Sequence, residues 1–112
     1  MTEEDLFEEV IELTNMLRHS SNLEKLRIAI SERGVDVQRA LMFSFFEDEE
    51  LNEFGVILSG KCDIFRYIRN NDDGYTSDLI FWEKIDDFER AKLEYPQLEF
   101  ALKLAEQSRN VP

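Results

Sequence analysis

The periodicity of the apolar residues changes once along this chain, near Val37, and that change limits the folds open to it more than any other feature. Before it, Leu6, Val10, Leu13 and Leu17 recur at spacings of four, three and four, which aligns them on one helical face. Thr2 is placed to cap that helix with Asp5 at its third position, and the helix should end near His19. Ser21 and Glu24 have the spacing of a capping box, Leu23, Leu26 and Ile30 supply the next buried stripe, and Gly34 is placed to stop it. After Val37 come aromatic and β-branched runs separated by turn residues, which is the pattern of strands. The strands expected are Arg39 to Phe46, Phe54 to Leu58, Lys61 to Arg69 and Ser77 to Ile85. The stretch from Arg39 to Asn52 also fits a helical spacing through Leu41, Phe45 and Asp48, so it is the sharpest test of this assignment.

The links between the strands are short. Glu47 to Asn52, Ser59-Gly60 and Asn70-Asn71-Asp72-Asp73-Gly74 are turn material, because Asn, Asp and Gly tolerate positive φ and bond their own backbone. Parallel pairing would need crossovers of about a dozen residues or more, so an antiparallel meander is expected. Asp86 and Glu89 then offer another helix start, with Phe88, Ala91 and Tyr95 in helical register. Pro96 should break that helix at Tyr95 and open a last one through about Ser108, with Leu98, Leu102 and Ala105 inward. The expected fold class is α+β in one domain over residues 1–112: two N-terminal helices, a four-stranded antiparallel meander and a C-terminal helical segment kinked at a proline.

Charge bounds the partners. Asp and Glu outnumber Lys and Arg by 25 to 13, for a net charge of -12. Such a field repels nucleic acid and membrane surfaces and attracts basic proteins. No apolar run approaches the roughly 20 residues that span a bilayer, and the acidic N-terminus does not read as a signal peptide. One cysteine, Cys62, allows no internal disulfide and suits a reducing compartment, so a cytoplasmic protein is expected, with Cys62 as a small core residue.

Chemistry finds little purchase. His19 is the only histidine and falls at a helix end, where an imidazolium favours the dipole. With one His and one Cys there is no Cys/His dyad and no ordinary zinc set, and the four glycines are too scattered for a phosphate loop. Asn71, Asp73 and Gly74 imitate the middle of an EF-hand loop, but the end positions would then be Arg69 and Ile80, which lack carboxylates. No enzyme activity, metal or cofactor is therefore expected.

Two features suggest binding instead. Glu3, Glu4, Asp5, Glu8, Glu9 and Glu12 make a helix start and an ordinary wet face. Glu47, Asp48, Glu49 and Glu50, with Glu53 beyond them, have no such explanation, since a connection between strands needs turn propensity and not successive like charges. They are candidate partner-binding residues. The other feature is aromatic: Phe65 and Tyr67 share one face of the third strand, and Trp82 opposes Phe81 and Ile85 in the fourth. Trp82 reads first as core. If the helices cover only the Phe81 and Ile85 side, Tyr67 and Trp82 join Asp78 and the turn residues Asp72, Asp73 and Tyr75 on an exposed binding face.

In size, charge, element order and lack of a catalytic motif, the chain resembles the small acidic bacterial immunity proteins that neutralise a cognate toxin domain, frequently a basic nuclease. The resemblance is to a class and assigns no individual residue. It implies that carboxylates steer a basic cleft into contact while a few aromatics anchor the complex, with no direct nucleic-acid or membrane partner. An acidic secretion chaperone or a phage-borne nucleic-acid mimic would share the same charge and size.

Overall fold

The structure is a computed structural model that describes residues 2–50, 52–69 and 81–109, with side chains described as far as Gln107 in the last helix. Helix α1 (Glu3–His19) begins at a reciprocal capping box: Thr2 Oγ1 accepts from Asp5 N at 3.2 Å and the Asp5 carboxylate accepts from Thr2 N at 3.1 Å. A 3₁₀ turn (Ser21–Leu23) leads into α2 (Glu24–Glu32). The expected Ser21–Glu24 capping box does not form: Ser20 caps the 3₁₀ turn, its hydroxyl accepting from Asn22 N, and α2 starts behind Leu23 with no side-chain cap. Gly34 ends the pair as expected, at φ +85°, where a side chain would be strained.

Val37–Arg39 is a 3₁₀ turn capped by the Asp36 carboxylate, so the first strand starts two residues later than its apolar pattern suggested. Strands β1 (Leu41–Glu47), β2 (Glu53–Leu58), β3 (Ile64–Arg69) and β4 (Phe81–Ile85) then form an antiparallel sheet in the order β1-β2-β3-β4. The meander stands, and so does the strand assignment for the ambiguous stretch after Arg39. Gly60–Cys62 is turn and not strand: Cys62 N donates to Ser59 O and Ser59 N to Asp63 O, both at 2.8 Å, with Cys62 itself at φ +65°. That is a three-residue hairpin loop with its last residue left-handed, a place where Gly is usual. Cys62 fills it while packing half-buried against the core.

Helix α3 (Phe88–Glu94) is capped by Asp87, one residue past the expected Asp86. It ends at Tyr95, which the following proline holds extended (φ -126°, ψ 92°), and α4 (Leu98–Arg109) follows. The break at Pro96 is therefore a two-residue turn between separate helices.

Helices cover both faces of the sheet. On one face Met42, Ile57 and Tyr67 meet Leu17, Leu26 and Ile30; on the other Leu41, Phe43, Leu58 and Ile64 meet Ala91, Leu98 and Ala101. Helix α1 lies along the outer edge of β1. Thr14 Oγ1 accepts from Met42 N at 3.1 Å, and Arg18 Nη2 donates to Ala40 O at 3.0 Å. These bonds give partners to a strand edge that would otherwise offer its backbone to another chain. Burial there lowers the Arg18 pKa from its ordinary value, an effect Asp36 partly offsets.

One irregularity decides where the aromatics of β1 point. The register with β2 shifts between Met42 and Ser44, leaving Phe43 as an extra residue. Strict alternation would send Phe43 and Phe46 to opposite faces. The bulge resets the parity, so that Phe43 enters the core under α4 while Phe46 comes opposite Phe54.

Candidate interaction surface

The ends of the four strands carry a row of apolar residues, one from each strand. Phe46 pairs with Phe54, Phe54 with Ile68 and Ile68 with Phe81, so the four side chains run side by side across one face. The helical layer of α3 and α4 covers the opposite end of that face, where Leu41, Leu58, Ile64 and Ile85 stand in register. Phe46 is 60% exposed and Phe81 37%, with Phe54 and Ile68 half-buried between them. The Phe46 and Phe54 rings are in contact, with centroids 5.9 Å apart. A band of this kind gains free energy by burial, roughly 25 cal/mol for each Å² removed from water, and among the described residues no helix covers it.

Strict period-two reading concealed the row. It read Trp82 first as core and, if the helices covered only the Phe81 and Ile85 side, gave Tyr67 and Trp82 to an exposed face. Helices cover both faces, and the exposed apolar end lies on the Phe81 side. Tyr67 is fully buried under α2 and its approaches, and Trp82 is half-buried, stacked on Phe65 at 4.8 Å with the Arg33 guanidinium 5.7 Å from its ring centre. Trp82 packs partly buried against the core, in line with its first reading, while Tyr67, a candidate partner-binding residue, is core and not a surface anchor. Asp72, Asp73, Tyr75 and Asp78 lie outside the described residues.

The acidic candidates also divide. Glu53 is 1% exposed and cannot meet a partner at the surface. Its carboxylate takes Arg69 bidentately, from Nη2 at 2.7 Å and Nε at 3.1 Å, and accepts from Tyr67 Oη at 2.9 Å. Gly55 makes this possible, because a Cβ at that position would overlap the Tyr67 ring as it crosses β2. Counting back from the Ser59–Asp63 turn places Glu53 directly across from Arg69, a pairing that was present in the sequence as a signal.

Asp48 is a turn builder. Its carboxylate accepts from Glu50 N at 2.9 Å, Asn52 N at 2.8 Å and Asn52 Nδ2 at 3.2 Å, which shapes the loop from within. Glu47, Glu49 and Glu50 remain exposed, and among the described residues none of them is in a salt bridge. Glu49 and Glu50 stand on the link that joins Phe46 to Phe54, so one end of the aromatic row is edged by negative charge, whereas Glu47 ends β1 opposite Glu53 and belongs to the other face.

Among the described residues, no cluster of three or more His, Cys, Asp or Glu side chains is placed to hold a metal ion, and no helix is long and apolar enough to cross a membrane. Comparison with known protein families, with curated proteins and with solved structures finds no match.

Proposed function

We propose that this protein is a binding module that neutralises a basic protein partner, in the manner of an immunity protein that occludes the active site of a toxin nuclease in the cytoplasm, with no chemistry of its own. The exposed row of Phe46, Phe54, Ile68 and Phe81, edged by Glu49 and Glu50, is the observation that carries the reading. Apolar rings supply the desolvated centre of an interface and unpaired carboxylates its rim, while a net charge of -12 draws in a basic surface from a distance.

The test first asks whether the gene next to this one encodes a basic domain and, where it does, uses that domain as the partner; a neighbour without one counts against the immunity reading. Phe46→Ser with Phe81→Ser should weaken binding at least tenfold and restore nuclease activity in the mixture, mostly through faster dissociation. Unchanged affinity would reject the row as the docking surface. Failure of the unaltered protein to inhibit the neighbouring domain would reject the immunity reading itself.

A further inference from the structure

The aromatic row already holds one guanidinium. Arg66 lies in β3 with its guanidinium carbon 5.5 Å from the centre of the Phe81 ring, and it forms an ion pair with Glu83, its direct neighbour across to β4. Ring and carboxylate together thus clamp an arginine from the chain's own sheet at the β4 end. At the β1 end the same two chemical elements recur: the Phe46 and Phe54 rings in mutual contact, and Glu49 and Glu50 on the link between their strands. No cation of the described residues fills that end, and Phe46 is the most exposed aromatic ring among them.

Resting on the docking reading above, we infer that the Phe46–Phe54 end of the row is a receptor for an arginine side chain of the partner, with the guanidinium lying on the phenyl faces and its N–H groups donating to the carboxylates of Glu49 and Glu50. Charge alone would accept lysine equally. A phenyl platform favours arginine, because the flat, weakly hydrated guanidinium stacks on a ring and still directs its in-plane donors outward, whereas an ammonium, such as that of Lys103 over Phe100, gives up tightly held water to make the same approach. Phe46 is then the residue that sets specificity, and the acids set attraction.

Two peptides of equal length and charge serve as probes, one alternating Arg with Gly and the other Lys with Gly, each titrated into the full-length protein at low salt and followed by NMR. The arginine peptide should bind about fivefold to tenfold more tightly, with the largest shifts at Phe46, Phe54 and residues 47–50. Phe46→Leu keeps an apolar side chain and removes the ring, so it should abolish the preference and leave the lysine peptide's affinity unchanged. Its far-UV circular dichroism should match the parent, since the side chain is largely in water.

Equal affinity for the two peptides, or an arginine preference that survives Phe46→Leu, would overturn the inference. Either result leaves the docking reading standing, because that reading falls only if the Phe46→Ser and Phe81→Ser pair binds the neighbouring basic domain as tightly as the parent does.

Discussion

The two faces of this sheet carry similar aromatic material and treat it differently. Phe65, Tyr67 and Trp82 lie on the face closed by α2, where Tyr67 is wholly buried and the other two are stacked on one another. Phe46, Phe54 and Phe81 lie on the other face, beyond the reach of α3 and α4, and stay in contact with water. Residue type does not separate the two sets. What separates them is the helix overhead, and for Phe46 the bulge at Phe43 that turned it toward the uncovered end. On the closed face the buried Glu53 carboxylate is satisfied by Arg69 and Tyr67; at the open end charge is left over for something else.

This contrast is broken most directly at Glu53. Glu53→Ala removes the carboxylate that takes the buried Arg69 guanidinium and the Tyr67 hydroxyl, and should cost about 3–5 kcal/mol. Urea unfolding should show the fall in midpoint. A loss below about 1 kcal/mol would mean that water reaches the pair and that the closed face is not closed.

The next largest effect is expected at Gly55. Gly55→Ala puts a methyl group into the Tyr67 ring and should destabilise by about 1–3 kcal/mol. The same substitution in a Tyr67→Ala background should cost much less, since the group it collides with is gone. A double-mutant cycle with no coupling would show that the two residues do not share space.

These residues also mark what the sequence made legible. The meander was readable because the links are short and made of Asp, Asn, Ser and Gly, and the helices because their stripes repeat at helical spacing. Caps slipped by one residue where the chain offers equivalent oxygens side by side, Ser20 with Ser21 and Asp86 with Asp87; the direction from which the chain enters the helix chooses between them. Alternation assigns side chains to two faces but says nothing of which face a distant helix covers, so Tyr67 was misplaced. It also assumes an unbroken register, so Phe46 was missed. Glu53 was grouped with its acidic neighbours in sequence, although its partner in space is Arg69, across the hairpin.

A smaller effect is expected where α1 seals the sheet edge. Thr14→Val keeps the shape of the side chain and removes its hydroxyl from Met42 N, leaving a buried backbone donor unmet, at a cost of about 1–2 kcal/mol. Hydrogen exchange at the Met42 amide should accelerate with it. An unchanged exchange rate would show that the edge is held by packing against α1 alone.

The smallest effect on stability is expected in the acidic loop, where it sharpens the same comparison within four consecutive residues. Asp48→Ala removes three acceptor contacts that shape the turn and should cost about 1 kcal/mol. Replacing Glu47, Glu49 and Glu50 together with Gln removes only charges that face water, and should change stability by less than about 0.5 kcal/mol. The triple variant should instead slow association with a basic partner and flatten its dependence on salt, because rim charges act on the encounter more than on the finished complex. Asp48→Ala, if it acts only through the turn, should leave most of that salt dependence in place. Should the triple variant bind as fast as the parent at low and high salt alike, those three charges serve solubility only, and attraction of a basic partner must come from the field of the whole chain.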